Sequence, residues 1–291
     1  GSISVFNFSL NLQSVPFSII GVSYSLAAFP MLTRLFSSGD KTKFLEQMII
    51  SARHIVFWSV PIAVLFIVLR AQIVRTILGA GNFNWDDTRL TAAALALFVV
   101  SLLAQNLVSL FVRSYYAQSK TKKPLVMNVL SAIVLVLSSY YLVQIFQNVS
   151  FFRNFIESIL KVSDISGTVV LMLPLGFSIG VIFNLLVHWI DFSRSFKDFS
   201  KPVLKVLFQV SSSSIIMGFV TYKCLSFFDN IFDINTLYGI FLQGFLSGII
   251  GITSAVLVLH LLKSKELPEI WNTLHQKIWG ARVVVPDAEL N

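Results

Sequence analysis

Long apolar stretches free of charge alternate along this chain with short polar ones. Seven of the stretches reach the roughly 20 residues a helix needs to cross the hydrocarbon of a bilayer. They fall at about 4–32, 54–78, 88–117, 125–147, 168–192, 203–228 and 236–262. None shows a period-two alternation, so a transmembrane barrel is excluded, and helices are the other way for a spanning backbone to satisfy its own polar groups. The pattern therefore predicts an all-α, polytopic membrane protein. Three connecting segments carry apolar stripes at helical spacing and are expected to lie on the membrane surface. These are 41–53 with Phe44, Leu45, Met48 and Ile49; 151–160 with Phe151, Phe152, Phe155, Ile156, Ile159 and Leu160; and the tail, with Leu267, Ile270, Trp271, Leu274 and Ile278.

Composition supports this reading. Hydrophobic residues make up 55% of the chain and charged residues 12%, about half the usual charged share, so one soluble core could not hide the apolar surface. The net charge of +8 is a statement about topology. Of 22 Lys and Arg, sixteen follow the first, third, fifth and seventh spans: Arg34, Lys41, Lys43 and Arg53; Arg113, Lys120, Lys122 and Lys123; Arg194, Lys197, Lys201 and Lys205; Lys263, Lys265, Lys277 and Arg282. Arg70, Arg75, Arg89, Arg153, Lys161 and Lys223 hold the other side. Basic residues stay cytoplasmic, which places the first residues outside and the C-terminus in the cytoplasm, and leaves nucleic acid without a footprint. The opening Gly1-Ser2, with an apolar run already under way at Ile3, has no basic region or cleavage site of a signal peptide. It reads as the start of a piece lying inside a longer membrane protein.

The spans hold little chemistry. All 14 carboxylates fall in loops or near span ends, with Asp191, three residues after His188, nearest to an exception. That pair reads as a satisfied polar contact at the interface, and His54 and His260 at span ends read the same way. A proton relay needs buried ionisable groups inside the membrane. No HExxH, GxSxG or paired-carboxylate arrangement is present, so no enzyme active site, metal site or cofactor is expected. Lone Cys224 reads as a small buried side chain. Neutral polarity remains: Asn7, Asn11, Gln13 and Ser14 ahead of Pro16 in the first span, Gln105 and Asn106 in the third, Asn184 in the fifth and Ser211 to Ser214 in the sixth. Asn7, Asn11 and Ser14 share a helix face, which either lines a cavity or packs on another helix. The serine run suits close packing by small residues. Substrate-binding candidates are Asn7, Asn11, Ser14 and Asn106.

Three stretches in order carry a resemblance. Pro16, Gly21-Val22 and Pro30-Met31-Leu32-Thr33 come first. Ile73-Val74-Arg75 with Gly81, Phe83, Asp87-Thr88 and Thr91 follow, and then Arg113-Ser114-Tyr115-Tyr116-Ala117 with Thr121 and Pro124. Together, over about residues 5–130, they resemble the lipid II flippases, the MurJ (MviN) family of the MOP exporter superfamily. The resemblance implies spans eight to fourteen of a fourteen-span transporter in the bacterial cytoplasmic (inner) membrane. Such a protein flips the peptidoglycan precursor lipid II by alternating access. It implies a substrate of the undecaprenyl-pyrophosphate type, contact with membrane lipids, and an N-terminal lobe that these residues do not include. Residues 1–200 would be the C-terminal lobe, 201–265 two additional helices forming a groove for the lipid tail, and 266–291 an amphipathic cytoplasmic tail.

This sequence departs from the family at several points. Where the family often has Arg five residues before the first proline, Asn11 stands here; Gln72 and Lys120 replace a proline and an aspartate. Polar residues that some relatives use for sodium have no counterpart at Leu135 and Ser139. Another exporter of the superfamily, and a membrane scaffold without transport, are the competing readings.

The charge pattern makes a direct prediction. In a chain whose own Cys224 has been replaced, a cysteine near Lys122 should be shielded from impermeant external thiol reagents in intact cells, and one near Asn230 should react. The reverse labelling would contradict the orientation.

Overall fold

The computed structural model describes residues 2–79, 81, 83–233, 236–269, 271 and 272. Among them the elements are helical, and they run in the predicted order. The first span is α1 (Ser2–Phe17), one π-helical turn (Ser18–Val22) and α2 (Ser23–Ser37). The second is α3 (Lys41–Val68), continued after a break at Leu69 by α4 (Arg70–Leu78). The third is the pair α5 (Trp85–Val99) and α6 (Leu102–Ala117), bent by 41°. Then come α7 (Lys122–Asn148), the short α8 (Ser150–Leu160), α9 (Met172–Ser195) behind a 3-10 turn, α10 (Ser200–Phe228) and α11 (Leu237–Leu261). Six stretches are long and apolar enough to cross a membrane, and the bent α5–α6 pair makes seven.

One surface-helix expectation needs correction. Residues 41–53 are not a separate helix but form the first turns of α3, and Phe44 and Met48 are fully buried. The Phe44 ring meets Phe36 at 5.7 Å and Phe196 at 5.6 Å. An apolar stripe records that a face is covered, not whether lipid or protein covers it. Asp40 caps this helix by accepting from the Lys43 N–H at 3.0 Å. The second expected surface helix is α8. Its stripe is shared: Phe152, Ile156 and Leu160 pack into the bundle, while Phe151, Phe155 and Ile159 are exposed. Most of the expected tail helix lies outside the described residues.

Spans one, two, three and five form the centre, with α7 paired to α9 on one flank. On the other flank α10 packs on α3, and α11 packs on α10 and α4. An aromatic cluster of Phe111, Trp189, Phe192 and Phe199 fills the core on the basic side. On the opposite side Arg89 grips Asp164 at 2.7 and 2.6 Å and the Lys161 carbonyl at 2.6 Å, tying α5 to the loop before α9. That guanidinium holds the loop carboxyl of Asp164 below the usual range.

Within lipid, helices gain nothing by hiding apolar surface from each other, so close backbone approach over small residues takes that place. Gly176 and Gly180, one turn apart on α9, sit directly on α7. A Cβ at Gly180 would lie 2.8 Å from the Leu135 Cα, and one at Gly176 would lie 2.7 Å from the Ser139 Cα. Leu135 and Ser139 are thus taken up by this helix contact. Gly218 of α10 meets Val64, Gly251 of α11 meets Thr221, and the Ser213 hydroxyl donates to the Ala255 carbonyl at 3.0 Å.

Because the obstacle at Gly180 is backbone, Gly180→Leu should destabilise the detergent-purified protein by about 1–3 kcal/mol, the usual penalty for overpacking. Leu186→Ile, on the exposed face of the same helix, should leave the melting temperature unchanged. Equal melting of both variants would contradict the close α7–α9 contact.

Candidate functional site: a polar groove along spans one, three and five

Pro16 has no N–H to offer the carbonyl four residues back, and the helix re-forms through the π turn Ser18–Val22. Such single π turns are frequent at functional sites, and here Ser25, one turn on, bonds its hydroxyl back to the Gly21 carbonyl. The oxygen of that hydroxyl lies 2.9 Å from Ser109 Oγ and accepts Arg113 Nε–H at 3.0 Å. With one proton and two lone pairs, Ser25 is then fully used. Gly21 lets α6 come close: a Cβ there would lie 2.9 Å from the Asn106 Cα.

The break in the third span is settled in a similar way. Between α5 and α6, Ser178 of α9 donates to the Leu97 carbonyl at 2.6 Å and lies 3.1 Å from Ser101 Oγ, which accepts from Gln105 Nε2 at 3.1 Å. Backbone freed at membrane depth is tolerated where neighbouring helices satisfy it.

These two irregularities border a groove of about 510 Å3 on α2, α6 and α9. Its polar lining is Gln105, Ser109, Arg113, Tyr116 and Asn184, and its apolar lining includes Phe17, Leu26, Phe29 and Val181. Arg113 is half-buried, anchored at Nε alone, and its two terminal nitrogens have no partner among the described residues. Asn184 donates to Asn128 Oδ1 at 2.9 Å and leaves its own Oδ1 unpaired. The groove thus presents one guanidinium fork, a phenol, a hydroxyl and carboxamides on an apolar frame.

The structure sorts the sequence candidates. Asn7, Asn11 and Ser14 are exposed along one face of α1, with Ser14 donating to the Asn11 carbonyl at 2.7 Å; they are not in the groove lining. Asn106 is fully buried and donates to Ser59 Oγ at 2.7 Å, which makes it part of the contact between α6 and α3. Its neighbour Gln105 faces the groove instead. Gln13 of the same polar stretch is buried, with its amide nitrogen unpaired.

The motif residues divide between shaping the backbone and lining the groove. Pro16 and Gly21 shape the π turn; Pro30 sits exposed within α2. Gly81 has a left-handed φ of 66°, and Phe83 offers its carbonyl to Arg75 at 2.8 Å. Asp87 completes a capping box with Asn84 at the start of α5, and Thr88 donates to the Asn84 carbonyl at 2.9 Å. Thr121 stands at the N-cap of α7, with Pro124 buried in its first turn. Only Arg113 and Tyr116 of the motif residues line the groove.

His188 and Asp191 are not each other's hydrogen-bond partners. Asp191 accepts from Tyr115 Oη at 2.7 Å and from Lys123 Nζ at 2.8 Å. His188 packs against the Phe111 and Tyr115 rings, its Nδ1 2.9 Å from the Asn184 carbonyl and its Nε2 unpaired.

Apolar helical spans, several of them interrupted, around a polar groove define an all-α polytopic membrane protein. The lipid II flippase MurJ family profile matches residues 1–242, and the chain belongs to that family. A probable lipid II flippase MurJ of Thermotoga maritima is 26% identical over 93% of this chain and 48% of its own length. The Bdellovibrio bacteriovorus protein of the same description is 32% identical over 46% of this chain and 26% of its own length. A solved lipid II flippase MurJ in an inward closed conformation shares the fold, with a TM-score of 0.61 and 24% identity over 90% of this chain and 48% of that one. The chain spans about half the length of the Thermotoga relative and of the solved flippase.

Proposed function

We propose that this chain is the C-terminal half, spans eight to fourteen, of a transporter that flips lipid II across the bacterial cytoplasmic membrane. It would work by alternating access against an N-terminal lobe that supplies the other wall of the groove. Family membership supports the substrate class, and the observation that carries the site is Arg113. A guanidinium tethered at Nε, with both terminal nitrogens free in a groove, is preorganised for bidentate bonds to a pyrophosphate. Gln105, Ser109 and Asn184 beside it suit the hydroxyl and amide groups of a saccharide–peptide headgroup.

In this reading Asn7, Asn11 and Ser14 face the same path nearer the outer end of the first span. Residues 1–200 form the lobe, and residues 201–265, which hold α11 and all of α10 but its first residue, run alongside the lipid tail. The first residues lie outside and the C-terminus in the cytoplasm, which the basic ends of the odd-numbered spans support. The work is carriage without bond-making, so neither a catalytic group nor a cofactor is called for, and nucleic acid is no partner.

The experiment is lipid II flipping in proteoliposomes by the protein at its native length, compared with Arg113→Gln. A hydrogen bond to a charged group is worth about 1.5–3 kcal/mol, so the variant should flip on the order of tenfold or more slowly with little change in melting temperature. No flipping by the unaltered protein would contradict the substrate. Equal flipping by both would leave the substrate standing and contradict the role of Arg113.

A further inference from the structure

The basic end of the bundle holds a second pocket, of about 200 Å3, between α3, α10 and the turn after α11. Four cations from three separate parts of the chain converge on it: Arg53 of α3, Lys205 of α10, and Lys263 and Lys265 of the turn. The one carboxylate in the wall, Glu266, is only 2% exposed and already committed. It accepts from Arg53 Nε at 2.9 Å and Nη2 at 2.5 Å, and from Ser264 Oγ at 2.7 Å. Burial pushes the Glu266 carboxyl up, but the Ser264 and Arg53 hydrogen bonds outweigh it and hold the group below its usual range. Arg53 and Glu266 therefore cancel as charges and act as a strut that fixes the turn to α3. Lys205, Lys263 and Lys265 are left over, and none of their ammonium groups has an ion-pair or hydrogen-bond partner among the described residues.

Topology alone would place lysines at this end of the spans, but two observations go further. First, Lys205 of α10 and Lys263 and Lys265 of the turn, far apart in sequence, line one recess together with Gln209, whose Nε2 donates to the Leu262 carbonyl at 3.3 Å. Second, Lys263 has a left-handed φ of 51° just past the C-cap of α11. Its N–H bonds the His260 carbonyl at 3.0 Å, and the Ser264 N–H bonds the Leu259 carbonyl at 3.1 Å. That turn is where glycine is usual, because a side chain strains it. Here the position instead carries an ammonium on the rim of the pocket.

Lys263 and Lys265 also line a larger adjoining groove of about 700 Å3, whose other walls include Val256, Leu267 and Trp271. A net cationic recess opening beside an apolar trough has the shape of a site for an amphiphile with an anionic head.

We propose that this pocket binds the phosphodiester headgroup of an anionic glycerophospholipid from the leaflet on the basic side, with an acyl chain along the Val256–Trp271 groove. Basic recesses between spans attract such headgroups, and at the membrane interface the lipids are the most concentrated phosphates available. The inference needs only that the spans cross a membrane, and it stands apart from the flippase reading.

The test is lipid titration of the native-length protein, delipidated in a non-ionic detergent and read by native mass spectrometry and thermal melting. Dioleoylphosphatidylglycerol should bind at least tenfold more tightly than dioleoylphosphatidylcholine. Joint replacement of Lys205, Lys263 and Lys265 by Gln should erase the difference. Lys263→Gly should raise the melting temperature of the lipid-free protein, by relieving the turn, and yet weaken phosphatidylglycerol binding; a lysine with a purely structural role would not give those opposite signs. An undiminished preference in the triple variant would overturn the proposal. So would phosphatidylglycerol binding that emerges only after residues 273–291 are removed, since the chain would then be its own occupant. Glycerol 3-phosphate stabilising the protein as well as the lipid does would overturn the lipid assignment.

Discussion

Every backbone N–H and carbonyl at membrane depth must find a partner inside the protein, and the form of this bundle follows from where that demand is met by something other than a straight helix. Pro16 interrupts the first span and the Val100–Ser101 turn interrupts the third. Beside each interruption a serine hydroxyl bonds a backbone carbonyl: Ser25 that of Gly21, Ser178 that of Leu97. The serine just past the π turn also holds Arg113 by its Nε. One hydroxyl thus links the backbone beside the π turn to the groove's cation, and its loss would free Arg113.

The same solvent explains how the spans are held together. Water is not there to drive apolar faces together, so contact depends on how near two backbones can come. Gly21 on α6, Gly176 and Gly180 on α7, Gly218 on α3 and Gly251 on α10 mark those approaches. Large apolar side chains are left to face lipid: Val126, Val136 and Tyr140 on α7, and Phe208, Ile215 and Phe219 on α10, are all more than half exposed. Some polar residues inside the bundle pair across helices, such as Asn106 with Ser59 and Trp58 with Tyr24, and others, such as Ser131 and Thr221, bond a carbonyl of their own helix.

Hydropathy made the seven spans legible, and the three motif stretches carried the family. Most of those motif residues prove to be backbone devices: a π turn at Pro16 and Gly21, a left-handed loop residue at Gly81, a capping box at Asp87. They are readable because turn and cap chemistry constrains residue type in a local window. The groove was less legible. Gln105 and Asn106 are adjacent and chemically alike, yet one faces the groove and the other is buried against Ser59. Roughly 100° of helix rotation separates neighbouring residues, and only the packing of α6 on α3 fixes which of them points inward. Residues 41–53 went astray for a related reason, because their stripe is covered by Phe196 from far along the chain. Ser178 was not singled out at all; the only signal was a small polar residue between the two glycines of α9.

The central claim, that spans one, three and five border a water-accessible polar path, is tested most directly at that adjacent pair. Gln105→Cys and Asn106→Cys, in a chain without Cys224, sit at nearly the same depth on one helix. They should differ sharply in reaction with a small water-soluble thiol reagent in native membranes. Rapid labelling at position 105 with protection at 106 is the predicted result. Equal protection of both, or labelling at 106 alone, would contradict the groove.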